Sequence, residues 1–134
     1  MPTTTAATLN AVTSRIIESA IEIHRTLGPG LLESTYLTCL ARDLADAQLP
    51  VRTQQAIPLV YKGISIDCAY RADLVVDDHV LVEVKAIEAF APIHSQQVLT
   101  YLRLGNYPVG LLLNFGATTM KAGIKRMVNQ CPDT

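Results

Sequence analysis

The chain is short of net charge, of charged residues altogether and of long apolar runs, and each shortage narrows the class of protein. Lysine and arginine number 11 against 12 aspartates and glutamates, which gives a formal net charge of −1 at pH 7. This balance argues against a protein that coats duplex nucleic acid by bulk charge, although a local basic patch can lie beside an acidic metal site. Charged residues make up 17% and apolar residues 49%, so a core can form and a largely disordered chain is disfavoured.

Cysteines and targeting signals are equally scarce. Cys39, Cys68 and Cys131 are widely spaced and form no CxxC or Cys/His pattern, which disfavours a zinc site. Reduced thiols in a cytoplasmic protein are the simplest interpretation. No basic residue precedes an apolar run at the N-terminus, and no run of about 18 apolar residues occurs, so neither a signal peptide nor a membrane span is expected. We expect one domain over residues 1–134, with residues 1–8 flexible.

The apolar periodicity changes twice along the chain, from helical to extended and back. Helical spacing predicts three helices, at Leu9–Leu27, Leu31–Ala47 and Pro92–Leu104. Extended apolar segments predict strands at Val51–Tyr61, Ile64–Val76, Val80–Ala86, Val109–Phe115 and Met120–Val128, with a short helix as the alternative for the last. The order α-α-β-β-β-α-β-(β) predicts an α/β fold, a mixed sheet with helices packed on it.

The residues with the clearest chemical signal lie in a predicted hairpin. If residues 77–79 form a three-residue loop, Val76 pairs with Val80, and counting back places Asp73 opposite Glu83. Two carboxylates that close repel each other unless a cation lies between them or one takes up a proton. A hard divalent ion with oxygen ligands, Mg²⁺ or Mn²⁺, suits such a pair.

Lys85 shares a strand face with Glu83, because alternate side chains of a strand point the same way. Its charge could orient or deprotonate a water molecule and stabilise a developing phosphate charge. An ordinary polar sheet face explains the three residues about equally well on their own. The second strand of the hairpin is strongly apolar, so we expect its other face to be buried. This favours a functional site over an ordinary polar sheet face.

Two helices carry further candidates. Glu33 heads an apolar stripe of the second helix, where a carboxylate needs a partner, although the helix dipole alone also favours an acid there. Tyr36 lies one turn on and could hydrogen-bond that acid or a phosphate; core packing is its alternative. On the third helix Gln97 and Tyr101 share a face and suit a phosphate or a bound water, against the alternative of a solvated face.

A family resemblance covers nearly the whole chain after about Ile16. The stretch from His24 to Tyr36 resembles the signature of the GxxExxY protein family, with Gly30, Glu33 and Tyr36 at its named positions. Later segments resemble that family in the same order, at Tyr61–Gly63, Tyr70–Asp73, Val82–Lys85, His94–Tyr101 and Gly110–Gly116.

That family is grouped with the PD-(D/E)XK nuclease superfamily. The resemblance implies an α-β-β-β-α-β core, with Asp73, Glu83 and Lys85 as the motif and Glu33 as the helix carboxylate. It also matches Gln97 and Tyr101 to the QxxxY element of exonuclease-like branches. Ala72, where the motif has proline, is a departure.

The resulting hypothesis is a metal-dependent nuclease that hydrolyses phosphodiester bonds in DNA, with RNA as the alternative substrate. Its predicted metal ligands for Mg²⁺ or Mn²⁺ are Glu33, Asp73, Glu83 and the backbone carbonyl of Val84. Lys85 would position the attacking water, and the substrate would be contacted by Tyr36, Gln97 and Tyr101. One rival is a catalytically silent nuclease-fold module that binds nucleic acid or a protein partner, which the low basicity favours. The other is a small structural or regulatory subunit. The sequence leaves the oligomeric state open, and a homo-oligomer is allowed.

Overall fold

A computed structural model describes residues 4–67 and 70–129 of the chain. Its helices are α1 (Ala6–Leu27), α2 (Glu33–Asp46) and α3 (Pro92–Gly105), with a short 3₁₀ turn at Lys121–Gly123. Its strands are β1 (Val51–Ala56), β2 (Val60–Tyr61), β3 (Ile64–Ser65), β4 (Arg71–Val76), β5 (Val80–Lys85), β6 (Val109–Asn114) and β7 (Ile124–Val128).

Five of these strands form one mixed sheet in the order β1-β4-β5-β6-β7. The central pair β5 and β6 is parallel, and the other neighbours are antiparallel. A parallel pair needs a crossover, and α3 supplies it. The α/β class and the mixed sheet predicted from the sequence are confirmed.

Helices cover both faces of the sheet. Helices α1 and α2 pack on the face that carries Val82, Val84 and Leu111, whereas α3 packs on the face that carries Leu81 and Leu112. Strands β5 and β6 are therefore apolar on both sides, as expected for strands in the middle of a three-layer fold. The candidate site residues Asp73 and Glu83 lie where β4 and β5 separate, beyond the pair Leu74 and Val82.

The predicted strands before the hairpin were too long. Val51–Tyr61 divides into β1 and β2, because the main sheet ends near Ile57 and Pro58 has no N–H to donate to a ladder. Ile64–Val76 divides in the same way into β3 and β4. Strands β2 and β3 form a separate antiparallel hairpin, turned at Lys62-Gly63. Residues 68–69 of that predicted strand lie outside the described residues.

Two features near the ends of the described residues refine the predicted elements. Helix α1 begins at Ala6, with the Thr5 hydroxyl accepting a hydrogen bond from the N–H of Thr8, so the segment 1–8 expected to be flexible is helical from residue 6 onward. Met120–Val128 contains both alternatives, a 3₁₀ turn followed by β7. Cys39 is free, as expected, while Cys68 and Cys131 lie outside the described residues. None of the helices in the described ranges is long and apolar enough to cross a membrane.

Candidate functional site

The β4–β5 hairpin brings Asp73 and Glu83 together. Val76 pairs with Val80 across the loop, and the ladder runs as far as Leu74 opposite Val82. At the next position the strands separate and the carboxylates replace the ladder hydrogen bonds. The Asp73 N–H donates to Glu83 Oε1 at 3.0 Å, and the N–H of Val84 donates to Asp73 Oδ2 at 2.8 Å. The predicted register is confirmed, and each acid is held by the other strand's backbone.

Burial dominates the electrostatics of this pair. Glu83 is 5% exposed, and burial followed by the charge of Asp73 raises its pKa from 4.5 to about 8. Burial also raises the pKa of Asp73, against the opposing effects of the Val84 N–H and the charge of Lys85. Hydrogen bonding between the two side chains raises the pKa of Glu83 and lowers that of Asp73, so the two carboxyl groups titrate as a pair. At neutral pH without a cation, the pair keeps one proton.

Lys85 lies at the end of β5, half-buried and two residues from Glu83. Its charge lowers the pKa of both Asp73 and Glu83. Asp73, Glu83 and Lys85 therefore form one charged cluster at the end of the sheet. A cation and an acid pair in this arrangement can hold a water molecule and a phosphate group side by side.

Glu33 reaches this cluster from α2. It is the first residue of the helix, and its Oε2 accepts a hydrogen bond from the N–H of Ala86 at 3.3 Å. Glu33, Asp73 and Val84 line one small cavity of about 260 Å³, and the charge of Glu33 raises the pKa of Asp73. The acid on the apolar stripe thus faces the hairpin acids. Its placement at the helix N-terminus also agrees with the dipole interpretation.

The three carboxylates do not form a complete metal cage. Within residues 4–67 and 70–129, no three His, Cys, Asp or Glu side chains are grouped closely enough to hold a metal ion by themselves. The convergence predicted for Glu33, Asp73 and Glu83 is therefore partial. The donor set still fits Mg²⁺ or Mn²⁺, because Mg²⁺ usually keeps several waters and is held by one or two carboxylates plus substrate oxygens. A divalent cation would also replace the proton that the Asp73–Glu83 pair now needs.

Tyr36 does not have the substrate-binding position predicted for it. Its ring is completely buried and stacks on Phe115, with ring centroids 4.5 Å apart. Its hydroxyl group donates to the carbonyl of Gly28 at 2.5 Å and accepts from the N–H of Leu31 at 3.1 Å. Tyr36 is thus a core residue that fixes the turn ahead of Glu33, and the prediction of substrate contact is corrected.

Gln97 and Tyr101 share a face of α3, as predicted, and are joined by a hydrogen bond of 3.2 Å from the Gln97 amide to the Tyr101 hydroxyl. Tyr101 is buried next to the carboxylate pair, since burial and then the charge of Glu83 raise its pKa. His94, one turn earlier, stabilises the start of the helix, because its Nδ1 accepts the N–H of Ala91. Gln97 and Tyr101 therefore connect the acidic cluster with the surface of α3.

Asn114 is a positioning residue that sequence reasoning missed. It lies beside Lys85 in the parallel ladder and is 2% exposed. Its side chain accepts from the N–H groups of Ile87 and Gly116, both at 3.0 Å, and donates to the carbonyl of Ile87 at 2.9 Å. A Cβ atom on Gly116 would lie 2.3 Å from that same carbonyl oxygen, so glycine is required there. The available signal was one polar residue that ends an otherwise apolar strand.

Comparison with known proteins identifies the superfamily of the chain. A family model for the PD-(D/E)XK nuclease superfamily matches residues 10–127, a range that includes every candidate site residue. Neither the curated proteins nor the solved structures gave a match. The narrower GxxExxY resemblance stays a prediction. The fold, the Asp73–Glu83–Lys85 cluster and this match lead to one conclusion: the chain belongs to the PD-(D/E)XK nuclease superfamily.

Proposed function

We propose that the protein is a Mg²⁺- or Mn²⁺-dependent nuclease that hydrolyses phosphodiester bonds in DNA, with RNA as the second candidate substrate. The observation that carries the proposal is the buried Asp73–Glu83 pair beside Lys85, in a chain of this superfamily. Burial of two neighbouring carboxyl groups costs free energy of folding. Such groups are typical of functional sites, and binding of a cation between them would explain their presence here.

Asp73 and Glu83 would hold the cation, with the carbonyl of Val84 as a further ligand and Glu33 acting through a water molecule. The cavity that Glu33, Asp73 and Val84 line gives room for this arrangement. When bound, the cation supplies polarisation of the phosphoryl oxygens and a lower pKa for the attacking water.

The remaining steps belong to the protein side chains. Lys85 would orient the attacking water and stabilise the charge that develops on the phosphate; its positive charge already acts on the pKa of both carboxyl groups. Gln97 and Tyr101 would hold the substrate phosphate without adding charge, as an amide and a phenol can. Asn114 would act through the backbone, by fixing the segment that follows Lys85.

A cleavage screen tests the proposal. Purified protein is incubated with single-stranded and duplex DNA and RNA, in Mg²⁺, in Mn²⁺ and in EDTA, beside the Lys85→Met variant. Methionine keeps much of the lysine stem and removes its charge. We expect divalent-dependent cleavage by the wild type and a rate lower by about 10²-fold or more in the variant.

A matched control is Lys62→Met, which removes a lysine from the exposed turn of the β2–β3 hairpin. It should cleave at the wild-type rate at saturating substrate. Cleavage by folded Lys85→Met at the wild-type rate contradicts the role of Lys85. If the wild type cuts none of the nucleic acids, the catalytically silent binding module becomes the better account, in keeping with the net charge of −1.

A further inference from the structure

A second cavity is lined by residues of α3 together with Leu59 and Tyr70. It has a volume of about 560 Å³, larger than the cavity beside Glu33 and within the range of about 300–1,000 Å³ that small-molecule sites span. Gln97 and Tyr101 line it. The cavity therefore shares these two residues with the candidate functional site, and the charge of Glu83 raises the pKa of Tyr101.

The walls are of two chemical kinds. Leu59, Ile93 and Leu104 make an apolar surface, and Ile93 is exposed although it is a large hydrophobic residue. The Tyr70 ring lies 6.1 Å from the Tyr101 ring at an angle of 53° and is 47% exposed, so part of an aromatic ring faces the cavity and solvent. An open cavity with an aromatic wall suits a flat, partly apolar ligand.

Amide and hydroxyl groups supply the polar part. Gln96, Gln97 and Thr100 lie along α3 and line the cavity. A glutamine amide offers donors and an acceptor together, which matches the mixed edges of a nucleobase. His94 also lines the cavity; because its Nδ1 accepts the Ala91 N–H, Nε2 carries the proton of the neutral ring and can donate.

We propose that this cavity is a nucleobase-binding subsite, in which an unstacked base of a single-stranded nucleic acid lies against Tyr70 while its phosphate is at the carboxylate cluster. The proposal rests on the proposed nuclease function and names its substrate class. A base inside a duplex has both faces covered by its neighbours, so only a single strand, a frayed end or a flipped nucleotide can enter.

The charge of the chain supports this choice of ligand. With a net charge of −1, the bulk charge of the protein contributes little attraction for phosphates, which favours contacts to the bases as a source of affinity. Stacking of bases on aromatic side chains is tolerant of sequence and does not depend on bulk charge. Binding by this route has a shallow dependence on salt.

Equilibrium binding in EDTA tests the subsite without catalysis. The probes are a fluorescein-labelled single-stranded oligonucleotide, an abasic strand of equal length and a blunt duplex of the same sequence, read by fluorescence anisotropy. The wild type should bind the base-containing strand at least about fivefold more tightly than the abasic strand, and more tightly than the duplex. Equal affinity for the first two strands, or no binding to either, overturns the proposal; this comparison needs no variant.

Variants then locate the contact. Tyr70→Ala should weaken binding of the base-containing strand by about fivefold or more and leave the abasic strand unchanged, whereas Tyr70→Phe should stay within about twofold of wild type. Tyr61→Ala is the control, since that tyrosine is 62% exposed on the β2–β3 hairpin and does not line the cavity. Equal losses in Tyr70→Ala and Tyr61→Ala overturn the assignment.

Three outcomes separate this proposal from others. If cleavage depends on the divalent cation but is unchanged by Tyr70→Ala and by missing bases, the proposed nuclease function is supported and the proposed subsite is overturned. If binding depends on the bases but no cleavage occurs, the proposed subsite is supported and the proposed nuclease function is overturned. If sedimentation shows a dimer that Tyr70→Ala dissociates while oligonucleotide affinity is unchanged, the cavity belongs to a protein interface and the proposal is overturned.

Discussion

Replacement of Glu83 by glutamine should make the protein more stable at alkaline pH. The pKa of Glu83 is raised from 4.5 to about 8, by burial first and then by the charge of Asp73. In this interval the folded state holds a proton that the unfolded chain has lost. The stabilisation that accompanies a raised carboxyl pKa is fully present below pH 4.5 and is lost as the pH rises to about 8.

The size of the effect follows from the same two values. One proton of difference changes the free energy of unfolding by about 1.4 kcal/mol per pH unit, so the whole interval gives a loss on the order of 5 kcal/mol at most. Glutamine resembles the protonated acid, and its amide oxygen can still accept the Asp73 N–H. Because Glu83 also affects the pKa of Asp73, the difference between the two proteins reports on the titration of the coupled pair.

Urea denaturation from about pH 5 to about pH 8.5, in EDTA, measures this difference. We expect the wild type to lose stability relative to Glu83→Gln as the pH rises, with the variant ahead by several kcal/mol at the upper end. Mg²⁺ should restore the stability of the wild type by neutralising the charge of the pair, and it should have little effect on the stability of the variant. Parallel curves for the two proteins in EDTA would refute the raised pKa and the reasoning from it.

Two further predictions concern residues that hold the site in place. Asn114→Ala leaves the N–H of Ile87 and the carbonyl of Ile87 without their side-chain partner, so it should lower the free energy of unfolding by at least about 2 kcal/mol; a loss no greater than that of the exposed Asn10→Ala control would contradict this. Tyr36→Phe keeps the stacking on Phe115 and removes two hydrogen bonds, so it should cost about 1–2 kcal/mol in urea denaturation. Because Tyr36 does not face a substrate, its variant should cleave at the wild-type rate when folded, and a loss of activity with unchanged stability would restore the substrate role.

Short-range rules predicted the hairpin site well. Three residues between Val76 and Val80 fix the register, and alternation along a strand then sets Asp73 against Glu83 without any tertiary information. The central strand Val109–Asn114 was equally clear, because a short run that is apolar at nearly every position is typical of a buried parallel strand. These features depend on neighbours in the chain.

Features that depend on distant partners could not be predicted in the same way. Tyr36 was assigned to substrate because it lies one turn from Glu33, yet stacking on Phe115, from the far end of β6, makes it a core residue. The polar role of Asn114 depends on Ile87, and no local pattern joins the two. The predicted strands Val51–Tyr61 and Ile64–Val76 each divide, and their parts next to the turn form the β2–β3 hairpin. This division follows from the end of pairing in the main sheet near Ile57, whereas the apolar pattern of the sequence continues beyond that residue.

The central claim is that the Asp73–Glu83 pair binds a divalent cation, and isothermal titration calorimetry tests it most directly. Wild type and Asp73→Asn are each titrated at neutral pH with Mn²⁺ and, in a separate experiment, with Mg²⁺. The account predicts saturable binding to the wild type, tighter for Mn²⁺ in keeping with the usual order of divalent affinities, and release of the proton held by Glu83. Asp73→Asn should give no saturable heat. Equal heats from the two proteins would contradict the claim.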